Sequence, residues 1–265
     1  MARRRSARQL GLELGSEARP QIKGGGFLRS IEMQLPSKAR GFPFSIPAIK
    51  KLCRLEFHPA VTFFIGENGS GKSTLLEAIA VKAGFSHEGG WKRRITETVA
   101  ASSPLDPHLT LARGGYPGDG WFLRAESFYN IATELEELGS GFSAYGGKSF
   151  HAQSHGEAFL ALLMHRLSGD GLYLFDEPEA ALSPQRQLAV LALIHRLVRH
   201  HSQLVIATHS PILLAYPHAR IYEFSASGMK EIAYQDTEHF RVTRDFLASP
   251  DRMIELLLRE EEDAG

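Results

Sequence analysis

Cysteine is almost missing from this 265-residue chain: Cys53 stands alone. A single thiol excludes an intramolecular disulfide and any zinc site built from several cysteines, and it suits a reducing compartment. Its simplest use is as a small packing residue. Net charge is missing too. Thirty basic and thirty acidic residues cancel, so no global field draws the protein toward nucleic acid or an anionic membrane, although a local patch would escape such a count. No run approaches the ~18 consecutive apolar residues of a membrane span. The basic start, Arg3-Arg4-Arg5, is not followed by a hydrophobic signal core. These absences together predict a cytosolic, that is cytoplasmic, protein. There is also no internal repeat, and no heptad pattern long enough for a coiled coil.

What remains is an ordinary globular composition, 43% hydrophobic, with enough chain for one large α/β domain or two small ones. Residues 1 to about 20 read as a flexible basic tail, and Gly24-Gly25-Gly26 as the hinge where order begins. The acidic Glu260-Glu261-Glu262-Asp263 reads as a solvated end.

One stretch stands out. Gly66-Glu67-Asn68-Gly69-Ser70-Gly71-Lys72-Ser73 fits a glycine, four free positions, then Gly-Lys-Ser, the pattern of a phosphate-binding loop. Such a loop turns on its glycines so that successive backbone N–H groups face the phosphate oxygens at a helix start. Lys72 would reach the β- and γ-phosphates. Ser73 would offer a hydroxyl to Mg²⁺, and Thr74, next in the first helical turn, would join the residues that bind the nucleotide. By composition alone the four fixed positions arise in roughly one chain of this length in a hundred. The context is also right, because Ala60-Val61-Thr62-Phe63-Phe64-Ile65 reads as a buried strand and Ser73 to Ala80 as a helix.

Elsewhere, Phe27 to Leu35 has strand character, Phe42-Pro43-Phe44-Ser45-Ile46 reads as an extended piece, and Lys51 to Phe57 as a further strand. Gly84 to about Gly120 is broken by glycine and proline and should be loop-rich. Trp121 to Arg124 reads as a strand, Ser127 to Leu138 as a helix, and Gly156 to Leu167 as a helix. Then come a buried strand at Leu172 to Phe175, a helix from Pro184 to His200 and a buried strand at Gln203 to Ala207. This alternation predicts a parallel sheet covered on both faces.

Leu172-Tyr173-Leu174-Phe175-Asp176-Glu177-Pro178 ends an apolar strand in two acids at the carboxyl edge, where open α/β sheets place ligands. Asp176 would hold Mg²⁺ through water, and Glu177 would accept a proton from, or orient, the attacking water. An Asp-Glu pair in this position is by itself also a common helix cap. Ala207-Thr208-His209-Ser210-Pro211 follows another buried strand, so a ring N–H of His209 could contact the γ-phosphate. Ser154-His155-Gly156-Glu157 has the form of a capping box, with Ser154 as cap and Glu157 reaching back, and a capped helix start is also an anion site. His151 and His155, four residues apart, lack a third ligand for metal.

The phosphate loop, Arg124-Ala125-Glu126-Ser127, Ser154-His155-Gly156-Glu157, Asp176-Glu177-Pro178 and Thr208-His209-Ser210 stand in an order that resembles the ATP-binding-cassette ATPases, from roughly Ile31 to Ile221. The resemblance implies an α/β P-loop NTPase: a central, mostly parallel sheet, an N-terminal antiparallel β-subdomain, and a helical signature subdomain at about 84–167, all within one domain at 21–265. It implies ATP and Mg²⁺ as cofactors and a head-to-tail homodimer. In that dimer Ser154 and Gly156 would touch the γ-phosphate bound to the other copy, and Ala181-Leu182-Ser183 would line the interface. Three positions depart from the family pattern, and one of them is Glu157, where transporters usually have glutamine. His155 stands where the family usually has glycine, and Glu126 where its Mg²⁺-sensing glutamine is expected.

Asn68, Leu76-Glu77-Ala78-Ile79 and Glu157 look like the chromosome-maintenance and repair branch, but Lys72 and Ser154 lie too close for that branch's coiled coil. The runs from Asp176 to Pro184 and from Thr208 to Leu213 look like compact stand-alone soluble ATPases. Three readings follow: an ATP-switched dimer serving a protein or nucleic-acid partner, the ATP-binding subunit of a transporter with a membrane permease, and a nucleotide-binding regulator without turnover. Phe42 or Phe44 would be available to stack on adenine, or simply to pack.

Overall fold

The computed structural model describes residues 26–86, 90–91, 103–124, 155–180 and 182–263. Two sheets organise it. The smaller is antiparallel, with β1 (Leu28–Met33) between β2 (Arg54–Glu56) and β5 (Leu109–Arg113). The larger has seven strands in the order β10-β9-β3-β8-β7-β6-β4. Its members are β3 (Val61–Gly66), β4 (Gly90–Trp91), β6 (Asp119–Arg124), β7 (Gly171–Asp176), β8 (Gln203–Ala207), β9 (Arg220–Ser225) and β10 (Gly228–Glu231). The five central strands run parallel, and β4 and β10 are antiparallel edges.

β3, β7 and β8 are apolar on both faces, as strands covered on both sides must be. Alternate residues feed opposite layers. Phe63, Ile65, Tyr173, Phe175, Leu204 and Ile206 pack into one core, whereas Phe64, Leu172, Leu174, Val205 and Ala207 pack into the other. The first core is closed by α3 (His155–Arg166), α4 (Pro184–Arg199) and α5 (Pro211–Leu214). The second is closed by α1 (Pro47–Lys50), α2 (Lys72–Ala83) and the antiparallel sheet. α4 buries Val190, Leu193, Ile194, Leu197 and Val198, the 3.6-residue stripe of a helix facing a core on one side only. α2 instead buries residues all round, because it lies between the sheet and β5.

Gln203 ties the two sheets together. It is fully buried, accepts from Leu28 N at 2.7 Å and donates to Leu28 O at 2.8 Å and His58 O at 3.0 Å. A second buried tie holds α3: Arg166 pairs with Asp119 at 3.2 Å and lies over the Trp121 ring, while Tyr173 OH donates to the same carboxylate at 2.9 Å.

Several expectations need correction. Residues 42–46 form turns leading into α1 rather than an extended piece. The stretch from Gly84 to Gly120, expected to be loop-rich, also carries β5, which completes the antiparallel sheet. Cys53 is exposed rather than packed. β9 and β10, and the final helices α6 (Glu238–Ala248) and α7 (Pro250–Asp263), extend the fold past the last segment legible in the sequence. The basic tail at 1–20 and the helix expected at Ser127 to Leu138 lie outside the described residues. Among the described residues no helix is long and apolar enough to cross a membrane.

Candidate functional site

The register of the parallel strands brings the site to one edge. Phe64 pairs with Ala207, Ala207 with Asp176 and Asp176 with Arg124, so the carboxyl ends of β3, β8, β7 and β6 form one row. The loop Gly66 to Gly71 springs from the first of these strands and enters α2 at Lys72. Gly66 has φ +140°, and a Cβ there would lie 2.4 Å from Phe224 O. Gly71, with φ +100°, caps α2 against Ile46, which would sit 3.0 Å from an added Cβ. Both positions therefore require glycine. Glu67, Asn68 and Gly69 form the exposed turn between them. Ser70 Oγ is buried and has no hydrogen-bond partner among the described residues, a free hydroxyl inside the loop. The first turn of α2, with Lys72, Ser73 and Thr74, points free backbone N–H groups into the same space.

Lys72 lies almost buried along the loop, its Nζ donating to Gly66 O at 2.8 Å and Glu67 O at 3.0 Å. Burial pushes its ammonium below the ordinary 10.5, opposed by the negative charges of Glu177, Asp176 and Glu179. Ser73 Oγ donates to Asp176 Oδ1 at 2.9 Å. Two hard oxygens at that spacing suit Mg²⁺, because neighbouring ligands about 2.1 Å from an octahedral ion lie about 3 Å apart. The residues present fit the ion.

Two further charged residues join the site, Arg124 beside Asp176 and Glu179 beside His209, and the sequence reading gave neither a role. Arg124 donates from Nη1 to Glu77 Oε2 at 2.9 Å and holds Nε 3.9 Å from Asp176 Oδ2. The signal that marks it is its place at a strand end in register with Asp176. Glu179 is half-buried, with Oε2 enclosed, and accepts from His209 N. Desolvation raises its pKa above the ordinary carboxylate range, despite the backbone N–H groups that favour its ionised form.

Glu177 adopts φ +50°, unusual for a residue with a side chain, and its N–H donates to Ala207 O at 2.9 Å. This anchors the turn so that its carboxylate stands 3.7 Å from His209 Nε2. The other ring nitrogen of His209, Nδ1, lies 3.2 Å from His239 Nε2 on α6, the third residue that sequence reasoning missed. Burial lowers the pKa of both histidines, with Lys72 adding to the effect on each. The arrangement can hold a polyanion against N–H groups, position a divalent cation, and set a carboxylate and a neutral imidazole beside the terminal phosphate.

On α3, Gly156 is buried and Glu157 pairs with Arg186 at 3.0 Å. Ser154, Glu126, His151 and Ala181, and with them the expected capping contact, lie outside the described residues. The structure thus brings together Gly66 to Thr74, Asp176, Glu177 and His209, and places Gly156 on a separate helix.

The chain is similar to several known proteins. One AAA-domain family model covers residues 45–89, and another, labelled with the AbiEii toxin of type IV toxin–antitoxin systems, covers 151–215. The iron(3+)-hydroxamate import ATP-binding protein FhuC of Bacillus subtilis is 28% identical over 167 residues, 55% of this chain and 61% of that protein. The molybdenum import ATP-binding protein ModC of Rhizobium etli is 32% identical over 162 residues, 52% and 43% respectively. The chain therefore spans about half the length of the curated relatives it matches. Among solved structures, cbiO1 of Clostridium perfringens, part of the ABC transporter complex cbiONQ, superposes with a TM-score of 0.49 at 16% identity, over 88% of this chain and 99% of that one. The chain is thus similar in sequence to import ATP-binding proteins and to AAA-domain family models, and the site geometry is that of a phosphate-binding loop beside an acidic strand end.

Proposed function

We propose that this chain binds ATP with Mg²⁺ and hydrolyses it to ADP and inorganic phosphate. The observation that carries the reading is the 2.9 Å contact between Ser73 and Asp176, which joins the phosphate loop to the acidic strand end across 103 residues of sequence. Lys72 and the N–H groups from Gly66 to Thr74 would hold the β- and γ-phosphates. Ser73 and Asp176 would hold Mg²⁺, with Glu126 as a further metal or water contact. When bound, the ion would offset the negative charge that builds on the phosphoryl oxygens. Glu177 would orient the attacking water and take its proton as the new P–O bond forms and the bond to the β–γ bridging oxygen breaks. His209 would present Nε2 to the γ-phosphate.

Hydrolysis is coupled, on this reading, to head-to-tail dimerisation in the cytoplasm. Ser154 and Gly156 of one copy would complete the site of the other, and the cycle would act on a protein or nucleic-acid partner. A Glu177→Gln variant should bind Mg-ATP without turnover and accumulate as a dimer by light scattering. A strictly monomeric variant at saturating Mg-ATP would remove the head-to-tail dimer. A second reading, a transporter subunit with a membrane permease, is favoured by the import ATP-binding proteins among the relatives. Reproducible co-purification with an integral membrane protein would select it.

A further inference from the structure

His239 lies 30 residues beyond His209, on a helix with no part in the phosphate-site reading, yet its Nε2 is 3.2 Å from His209 Nδ1. The ring centroids are 5.4 Å apart. The approach is fixed by more than the two rings. Thr237 caps α6, accepting from Phe240 N at 3.3 Å and donating to Tyr234 O at 2.7 Å. Tyr234 OH in turn donates to Pro211 O at 3.0 Å, two residues past His209, and its ring packs on Phe240 at 4.7 Å. The start of α6 is therefore tied to the His209 turn at a second point.

Two neutral imidazoles sharing one hydrogen bond have two arrangements, and the surroundings choose between them. His209 Nε2 faces the Glu177 carboxylate at 3.7 Å, which favours a proton on that nitrogen over a lone pair. Nδ1 of His209 is then the acceptor, and His239 must donate from Nε2. That leaves His239 Nδ1 as a bare acceptor, buried and without a partner among the described residues. Its place in the first turn of the 11-residue α6, at the positive end of the helix dipole, favours a lone pair there. Both ends of the pair favour the same tautomer.

We propose that His239 is a positioning residue: it locks His209 in the tautomer that carries its proton on Nε2, the nitrogen turned toward the phosphate side, and so couples His209 to α6. The inference rests on the phosphate-site reading given above for the use of that proton, but not for its location. The full-length protein with ¹⁵N-labelled imidazoles, at a pH where both rings are neutral, reads the location directly, with His209 assigned through H209Q. His209 should show a protonated Nε2 in the wild type, lose that preference in H239L, and regain it in H239Q, whose side-chain amide places an N–H where the imidazole Nε2 was. H239N, too short to reach, replaces H239L if the latter fails to fold. In turnover, H239L should lower kcat about tenfold with KM for ATP within about twofold, and H239Q should restore it. A protonated Nδ1 on His209 in the wild type, or a tautomer indifferent to both H239L and H239N, overturns the proposal. A wild type with no turnover overturns the hydrolytic reading instead and leaves the tautomer result standing.

Discussion

Ser73 and Asp176 meet at 2.9 Å, hydroxyl to carboxylate, although one opens α2 and the other closes β7. The contact is the smallest unit of the site, because it exists only if β3, β8 and β7 are neighbours in parallel register. Replacing Ser73 with Ala keeps the helix start and removes one of the two hard oxygens. The Mg²⁺ concentration for half-maximal hydrolysis should rise about tenfold or more, as loss of a charge-assisted contact implies. Metal titrations of S73A against wild type check this.

Lys72 gives a prediction that separates binding from folding. Its ammonium is held against two carbonyls at the cost of desolvation, so losing its charge removes an unfavourable term along with two hydrogen bonds. A Lys72→Met variant should therefore melt within about 3 °C of wild type without nucleotide. The upward shift of Tm that Mg-ATP confers on wild type should disappear. Differential scanning calorimetry with and without nucleotide reads both.

The histidine pair predicts a pH dependence. Burial depresses both pKa values below the ordinary 6.5, so the unfolded chain takes up protons before the folded one as pH falls. Stability is complete above about pH 6.5 and is lost below it, down through the folded-state values. Glu179 has the opposite sign, since its pKa is raised, but it is present in every variant compared. Urea midpoints between pH 5 and 8 should fall more steeply on acidification for wild type than for the double variant H209Q/H239Q. Parallel curves would mean that the pair is not buried as neutral rings.

Asp119 tests the anchoring of α3. Its carboxylate faces both Arg166 and the Tyr173 hydroxyl, whose pKa desolvation pushes up to about 12. Asp119→Ala removes the acceptor from a largely buried pair and should cost about 3 kcal/mol in urea unfolding. Asp119→Asn, which still accepts from Tyr173, should cost less.

The legible parts of the molecule are those whose reason is local. The loop from Gly66 to Ser73 carries its own glycine geometry, and β7 and β8 are continuous apolar runs that only a doubly covered sheet would bury. β5 escaped because Leu109–Arg113 is a short strand with one buried residue, flanked by a proline-containing turn and a glycine pair. β9 pairs with β3 through residues some 160 positions away, and no turn motif announces that partner. Phe42 to Ile46 reads as extended from its prolines, but the chain uses them to turn into α1 and bring Ile46 under Gly71. His239 has no motif at all, and Arg124 opens a motif segment in which the sequence reading assigned the role to Glu126. They join the site through strand register and through the seat of α6 on the His209 turn, relations that exist only in three dimensions.

Steady-state release of inorganic phosphate from Mg-ATP is the most direct test of the hydrolytic claim. The wild type should turn over, while Lys72→Ala and Glu177→Gln should each release phosphate at least about a hundredfold more slowly, with folding intact by circular dichroism. Release by Lys72→Ala and Glu177→Gln at the wild-type rate, or no release by the wild type at saturating Mg-ATP, would contradict the account.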